Sequence, residues 1–132
     1  MSINATILIA DDDERVLKAL MIRLGHVGFK VITATDGYSA LSLATKHKPS
    51  LLVLDINMPA GDGFSVQERM KEIPELAATP VIYVTGDKSD RLDQLARRLG
   101  GFAVLHKPFH IEELIDTLLS ALSSPGDVKQ AS

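Results

Sequence analysis

The stretch "LLVLDINMPAGDG" at 51–63 ends an apolar run in a carboxylate, Asp55, just before a proline and two glycines. Two readings of this acid compete. Aspartate bonds readily to nearby backbone, so Asp55 could be a turn residue or a helix cap. It could also be a reactive group held at the rim of a sheet. The polar residues that end the other apolar runs bear on this choice.

Polar side chains of three chemical kinds end or follow the other apolar runs. Acids follow the run at 6–10, a hydroxyl ends the run at 81–85 and an ammonium ends the run at 102–107: Asp11, Asp12, Asp13, Thr85 and Lys107. Clustered carboxylates repel one another, and Mg²⁺, which prefers oxygen ligands, relieves that repulsion. A carboxylate can also attack phosphorus to form an aspartyl phosphate, and such transfer depends mainly on charge neutralisation and positioning. If the fold brings these residues together, they suit Mg²⁺-assisted phosphoryl transfer.

The elements that would position these residues alternate along the chain. Short apolar runs predict strands at 6–10, 29–34, 51–54, 81–85 and 102–107. Helical spacing of apolar residues predicts helices at 13–28, 37–48, 64–73, 89–101 and 110–122. This alternation implies an α/β fold with a parallel sheet covered by helices on both faces. All strands then end at one edge, where ligands bind in such folds, so the convergence favours the reactive reading of Asp55.

Composition restricts the classes of function. The chain has 132 residues, a net charge of −3 and no cysteine. We expect one domain at 1–122 followed by a flexible tail at 123–132, which is polar and lacks apolar periodicity. The sequence has no basic tract, no signal peptide and no apolar run of about 20 residues, so we expect no direct nucleic-acid binding and no membrane span. The absence of cysteine is compatible with a reducing, cytoplasmic location.

Four motifs, in order, resemble the receiver domain of a two-component response regulator of the single-domain, chemotaxis-regulator type. They are "ILIADDD", "LLVLDINMPAGDG", "VIYVTG" and "HKPF", and the resemblance covers residues 5 to about 122. It implies a doubly wound, flavodoxin-like sheet of five parallel strands in the order 2-1-3-4-5, with five flanking helices. It also implies a cis Lys107–Pro108 peptide bond.

The resemblance further implies a role for each site residue. Asp55 would accept a phosphoryl group from a histidine kinase or a phosphotransfer protein, while Thr85 and Lys107 would engage the phosphoryl oxygens. The implied Mg²⁺ ligands are oxygen atoms beside the first and third strands: Asp11, Asp12, Asp55 and the backbone carbonyl of Asn57. Asp12 would bind the metal directly and Asp11 through water. Asp13 is expected to cap the first helix.

One position departs from the family pattern, at a residue that in many receivers takes part in activation. Val104 stands where many receivers carry an aromatic residue that rotates on activation. We still expect a downstream protein to bind the face formed by the fourth helix, the fifth strand and the fifth helix. The last helix carries acids but no Lys or Arg up to Leu122, so we expect a monomer or a weak dimer.

Two alternatives to a signalling switch remain open. An Mg²⁺-dependent phosphohydrolase with an aspartate nucleophile has a similar layout, but it uses a second acid two positions later as general acid and base. Asn57 occupies that position here and cannot carry a proton. A pseudo-receiver that only docks onto partners would not need the acids, Thr85 and Lys107. We therefore expect a phosphoacceptor rather than a turnover enzyme.

Overall fold

A computed structural model of the protein describes the backbone of residues 5–131 and the side chains of residues 5–123. The strands are β1 (Thr6–Ala10), β2 (Lys30–Ala34), β3 (Leu51–Asp55), β4 (Val81–Thr85) and β5 (Ala103–His106). The helices are α1 (Glu14–Val27), α2 (Gly37–His47), α3 (Gly63–Met70), α4 (Asp90–Arg98) and α5 (Ile111–Ala131). All neighbouring strands pair in parallel in the order β2-β1-β3-β4-β5. The predicted doubly wound α/β fold is confirmed.

The two faces of the sheet carry separate apolar cores. Alternate residues of a strand point to opposite faces, so Leu52 and Leu54 pack with α2, α3 and α4, while Val53 packs with α1 and α5. Every residue of β3 and β4 is buried. Their continuous apolar runs are typical of central parallel strands covered by helices on both sides. The two central strands therefore form a rigid base for the side chains at their ends.

The first helix begins and ends as its sequence predicts. Asp13 is the N-cap of α1, and its side chain accepts a hydrogen bond from the backbone N–H of Arg15. Gly28 ends the helix in the left-handed conformation, with φ of 111°, which glycine adopts without steric cost. Within the described part of the chain, no helix is long and apolar enough to cross a membrane.

The last helix is longer than the sequence predicts. The backbone of α5 is helical over Ile111–Ala131, whereas the apolar stripe that indicated a helix ends near Leu122. The stripe reports where a helix packs against a core, but helical hydrogen bonds are local and need no such contact. The end of the stripe was therefore a poor marker of the helix end. Flexibility of the segment 123–132 stays a prediction.

Tyr83, in the middle of β4, is the largest fully buried side chain. Its hydroxyl donates a hydrogen bond to Gln67 of α3, and its ring meets that of Phe64 edge-on at 5.0 Å. Burial raises the pKa of the Tyr83 hydroxyl, so it stays protonated and remains a donor. A Cβ atom on Gly101 would lie only 2.7 Å from this ring. Gly101 therefore leaves the space that the tyrosine ring needs beside β5.

Two glycine-to-alanine substitutions should change stability in opposite directions. Gly101→Ala should lower the free energy of unfolding by about 1–3 kcal/mol, because the new methyl overpacks against the Tyr83 ring. Gly25→Ala should raise it by about 0.5–1 kcal/mol, because Gly25 lies inside α1 with open space around it and alanine favours a helix. Urea denaturation of both variants tests this. Equal effects would show that the ring does not limit the space at Gly101.

Candidate functional site

Three strands end in the same local arrangement. The side chains of Asp11, Asp55 and Thr85 each accept a hydrogen bond from the backbone N–H two residues further on, at 2.9, 3.0 and 3.0 Å respectively. This is the turn chemistry of aspartate and threonine. It uses only Oδ1 of each carboxylate, so Oδ2 stays available for other contacts. The turn-forming and reactive readings of Asp55 are thus compatible.

Lys107 joins the two buried carboxylates. Its Nζ donates hydrogen bonds to Oδ2 of Asp11 at 2.7 Å and to Oδ2 of Asp55 at 3.1 Å. The side chains of Asp11 and Asp55 are 5% and 8% exposed, and that of Lys107 is 30% exposed. The Lys107–Pro108 peptide bond is cis, as predicted. Three residues far apart in the sequence therefore meet at one edge of the sheet, as the strand order requires.

The protonation states follow from burial and from these contacts. Burial raises the pKa of Asp55, with the negative charge of Asp11 adding to the effect, and the hydrogen bonds from Asn57 and Lys107 oppose it. Burial alone would lower the pKa of Lys107, but its hydrogen bonds and charge interactions with Asp11 and Asp55 outweigh burial and raise that pKa. The ammonium group therefore stays charged at neutral pH and balances part of the carboxylate charge.

The acids at this edge are suited to a divalent cation. Asp11, Asp12 and Asp55 each offer one carboxylate oxygen, and these oxygens lie within 4.8 Å of one another. Asp12 is exposed, while the other two are buried. A set made only of oxygen donors, open to water on one side, matches the preference of Mg²⁺ for carboxylates plus retained waters. Three of the four predicted ligands are brought together, and the role of the Asn57 carbonyl stays a prediction.

Thr85 lies beside this site and is fully buried. Its carbonyl accepts a hydrogen bond from the backbone N–H of Lys107 at 2.8 Å. Its hydroxyl accepts from the N–H of Asp87, in the loop that leads into α4. Thr85 is therefore connected both to the lysine and to the fourth helix.

One contact near the site was missed in the sequence. Nε2 of His106, the last residue of β5, lies 3.1 Å from a carboxylate oxygen of Asp93 in α4. The two residues are 13 positions apart on different elements, and the scattered histidines of the chain gave no indication of such a pair. Only the packing of α4 beside β5 reveals it.

Val104, at the position where many receivers carry an aromatic residue, packs against the apolar core. Val104 is half-buried and packs against the cluster that contains Tyr83, its register partner in β4. Phe102, two residues earlier, is 41% exposed. Phe102 therefore does not replace the absent aromatic inside the core.

Comparisons with known proteins agree with this geometry. A family model for the response regulator receiver domain matches residues 7–119. The probable transcriptional regulator ycf27 of Galdieria sulphuraria is 41% identical over 82% of this chain and 41% of its own length. The transcriptional regulatory protein PrrA of Mycobacterium tuberculosis is 36% identical over 96% of this chain and 53% of its own length. The chain thus spans about half the length of the curated relatives it matches.

Solved structures show the same architecture. The Vibrio cholerae chemotaxis response regulator CheY4 superposes with a TM-score of 0.84 at 30% identity, covering 89% of this chain and 98% of that one. A response regulator from Chloroflexus aurantiacus gives a TM-score of 0.85 at 28% identity, covering 90% and 98% of the two chains.

The fold and the strand-end residues together define a class of protein, the flavodoxin-like domains with a carboxylate cluster and a lysine at the carboxyl edge of the sheet. Within that class, the chain belongs to the receiver domain family of two-component response regulators.

Lys107→Ala should lower the free energy of unfolding by about 1–3 kcal/mol at pH 7, because it leaves two buried carboxylates without their shared donor. Urea denaturation measures this loss. The matched control is Lys18→Ala, since Lys18 is exposed on α1 and forms no ion pair with the side chains that the structure describes. Equal stability of the two variants would contradict a structural role for the Lys107 ammonium.

Proposed function

We propose that the chain is a phosphorylation-dependent signalling switch that accepts a phosphoryl group on Asp55, with Mg²⁺ as the cofactor. The donor is a histidine kinase or a phosphotransfer protein. The observation that supports this best is the arrangement of Asp55 itself: one carboxylate oxygen is held by backbone, and the other meets the charged Lys107 beside two further acids. A cytoplasmic location and the absence of direct nucleic-acid binding belong to the same proposal.

The proposed reaction is one transfer between two nucleophiles. A carboxylate oxygen of Asp55 attacks the phosphorus of a phosphohistidine, a P–O bond forms, and the P–N bond breaks. The imidazole nitrogen of the donor keeps the electron pair and takes up a proton. Asn57 orients the carboxylate through its N–H, and the Lys107 ammonium turns from Oδ2 towards the new phosphoryl oxygens. Mg²⁺ held by Asp11, Asp12 and Asp55 would neutralise charge on the transferring group.

The signal would leave the site through Thr85. Its hydroxyl is held by the N–H of Asp87, so a new hydrogen bond to a phosphoryl oxygen would compete with that contact. Loss of the contact would free the turn before α4 and bias the position of that helix. The contact between Asp93 of α4 and His106 of β5 would carry the change along the same face.

We therefore place the output surface on α4, β5 and α5, where a downstream protein would bind. In α5 the acids Glu112, Glu113 and Asp116 have no basic partner up to Leu122 on the same helix. This supports a monomer or a weak dimer rather than a salt-bridged dimer through that face. The role is that of a phosphoacceptor and not of a turnover enzyme, because Asn57 stands where a phosphohydrolase needs a second acid.

Phosphorylation should be detectable directly. Incubation with acetyl phosphate and Mg²⁺ should retard wild-type protein on a Phos-tag gel, and Asp55→Asn should abolish the shift, because an amide is a poor nucleophile. Asp62→Asn is the control, since Asp62 caps α3 through a hydrogen bond from Ser65 and asparagine also caps helices. If wild-type protein is not retarded on the gel, the proposed function is rejected. If Asp55→Asn is still retarded, the phosphoryl group is accepted by a residue other than Asp55.

Mg²⁺ should stabilise the folded chain. Linkage gives about 1.4 kcal/mol at a free concentration ten times Kd, and Asp12→Ala should lose most of this gain because it removes one of three clustered carboxylates. Thermal denaturation with and without Mg²⁺ measures the effect. Asp116→Ala, a change of equal charge at an exposed position of α5, should respond like wild type. Equal responses in all three proteins would remove Asp12 from the metal site.

A further inference from the structure

A second candidate surface lies between α2 and α3, away from the proposed output face. The α2–α3 groove is defined by the side chains of Tyr38, Leu41, Val66 and Arg69, and it has a volume of about 270 Å³. Tyr38 is 77% exposed, the most exposed of the large hydrophobic side chains that the structure describes. Helix α2 contacts β1 and β2, whereas α4 contacts β5 at the opposite edge of the sheet. The groove is thus separate from the α4–β5–α5 face.

The groove is held in shape by a direct backbone contact. A Cβ atom on Gly37 would lie 1.9 Å from the carbonyl oxygen of Gly61, and the N–H of Gly37 donates to the carbonyl of Pro59 at 3.2 Å. Ala60 and Gly61 have positive φ angles of 51° and 105°. The start of α2 therefore rests on the loop that follows β3, and a ligand would meet a preformed floor.

The charged side chains that line the groove are cations. Arg69 lines it, and Lys46 lines its continuation along α2 beside Tyr38 and Leu41. Among the side chains that the structure describes, neither cation forms an ion pair. No carboxylate lines either part of the groove. The acids that begin the two helices, Asp36 and Asp62, accept hydrogen bonds from backbone N–H groups as caps.

We propose that the α2–α3 groove docks a segment of a partner protein that carries an apolar anchor flanked by carboxylates. The anchor would pack against Tyr38 and Leu41, and the carboxylates would meet Arg69 and Lys46. Tyrosine and arginine are the residue types on which interface energy concentrates, and unpaired cations favour an anionic partner. With only two cations beside an apolar floor and a net charge of −3, the groove suits an acidic protein segment better than a nucleic acid. The proposal does not depend on phosphorylation of Asp55.

The test is selection of short random peptides, displayed on phage, on the immobilised full chain. Counter-selection uses a Tyr38→Ser/Arg69→Glu double variant. Enriched peptides should share an aliphatic or aromatic residue flanked by Asp or Glu. A synthetic copy should shift the backbone NMR signals of Tyr38 and residues 60–65, and its affinity should fall at least fivefold in Arg69→Glu. Arg69→Lys should retain most of the affinity.

The controls separate this site from folding and from the Asp55 site. Lys18→Glu makes the same kind of charge reversal on exposed α1 and should leave peptide affinity unchanged. Urea denaturation and the Phos-tag shift of the groove variants should match wild type, because the altered side chains lie outside the core and outside the acid cluster. The proposal is overturned if no peptide is enriched, if enriched peptides bind the double variant equally well, or if they lack acids. It is also overturned if light scattering shows a dimer of the chain that Tyr38→Ser abolishes, since a second copy would then be the occupant.

Discussion

The ammonium group of Lys107, held between the buried carboxylates of Asp11 and Asp55, is the interaction on which the site depends. A parallel sheet directs the carboxyl ends of all its strands to one edge, so the acid that follows β1 and the acid that ends β3 must lie together whatever their charge. Burial makes their repulsion stronger than it would be in water. The lysine that follows β5 offsets part of it, and the oxygen donors that remain are suited to a cation. The charged edge is therefore a direct consequence of strand order and of the residues at or just after the end of each strand.

Turn formation and the proposed reactivity are combined in the same side chains rather than divided between residues. Asp55 uses Oδ1 to accept the N–H of Asn57, which helps to end β3 and start the loop. The same bond fixes the plane of the carboxylate, so Oδ2 faces Lys107. A carboxylate with no backbone contact would lose rotamer freedom on reacting. Thr85 repeats the arrangement with a hydroxyl, which makes its turn sensitive to any competing hydrogen bond. A motif that looks structural in the sequence is for this reason also the motif that positions the chemistry.

The parallel α/β sheet and the convergence of polar residues at one edge could be predicted because they depend on local patterns, whereas the strand order followed from the resemblance to receiver domains. Apolar runs alternate with helical stripes, and a parallel sheet converts the ends of those runs into one edge, so Asp11, Asp55 and Lys107 meet as expected. The contacts of His106 with Asp93 and of Tyr83 with Gln67 could not be predicted, because they join elements whose relative rotation the sequence pattern does not specify. The length of α5 was missed for a related reason, since apolar spacing reports packing and not helical hydrogen bonding.

The loops that leave the acid-bearing edge contact or lead into helices that lie beside opposite edge strands of the sheet. The loop after β3 supports the start of α2 through the contact of Gly37 with Gly61, and the turn after β4 is tied to Thr85. The strands between these loops are buried along their whole length, and close-packed protein interiors are poorly suited to deform. Under the proposed function, a change at Asp55 would then be transmitted more readily through the loops than through the sheet. Since the turn after β4 leads towards α4, the proposed output through that helix would need no movement of β3 or β4.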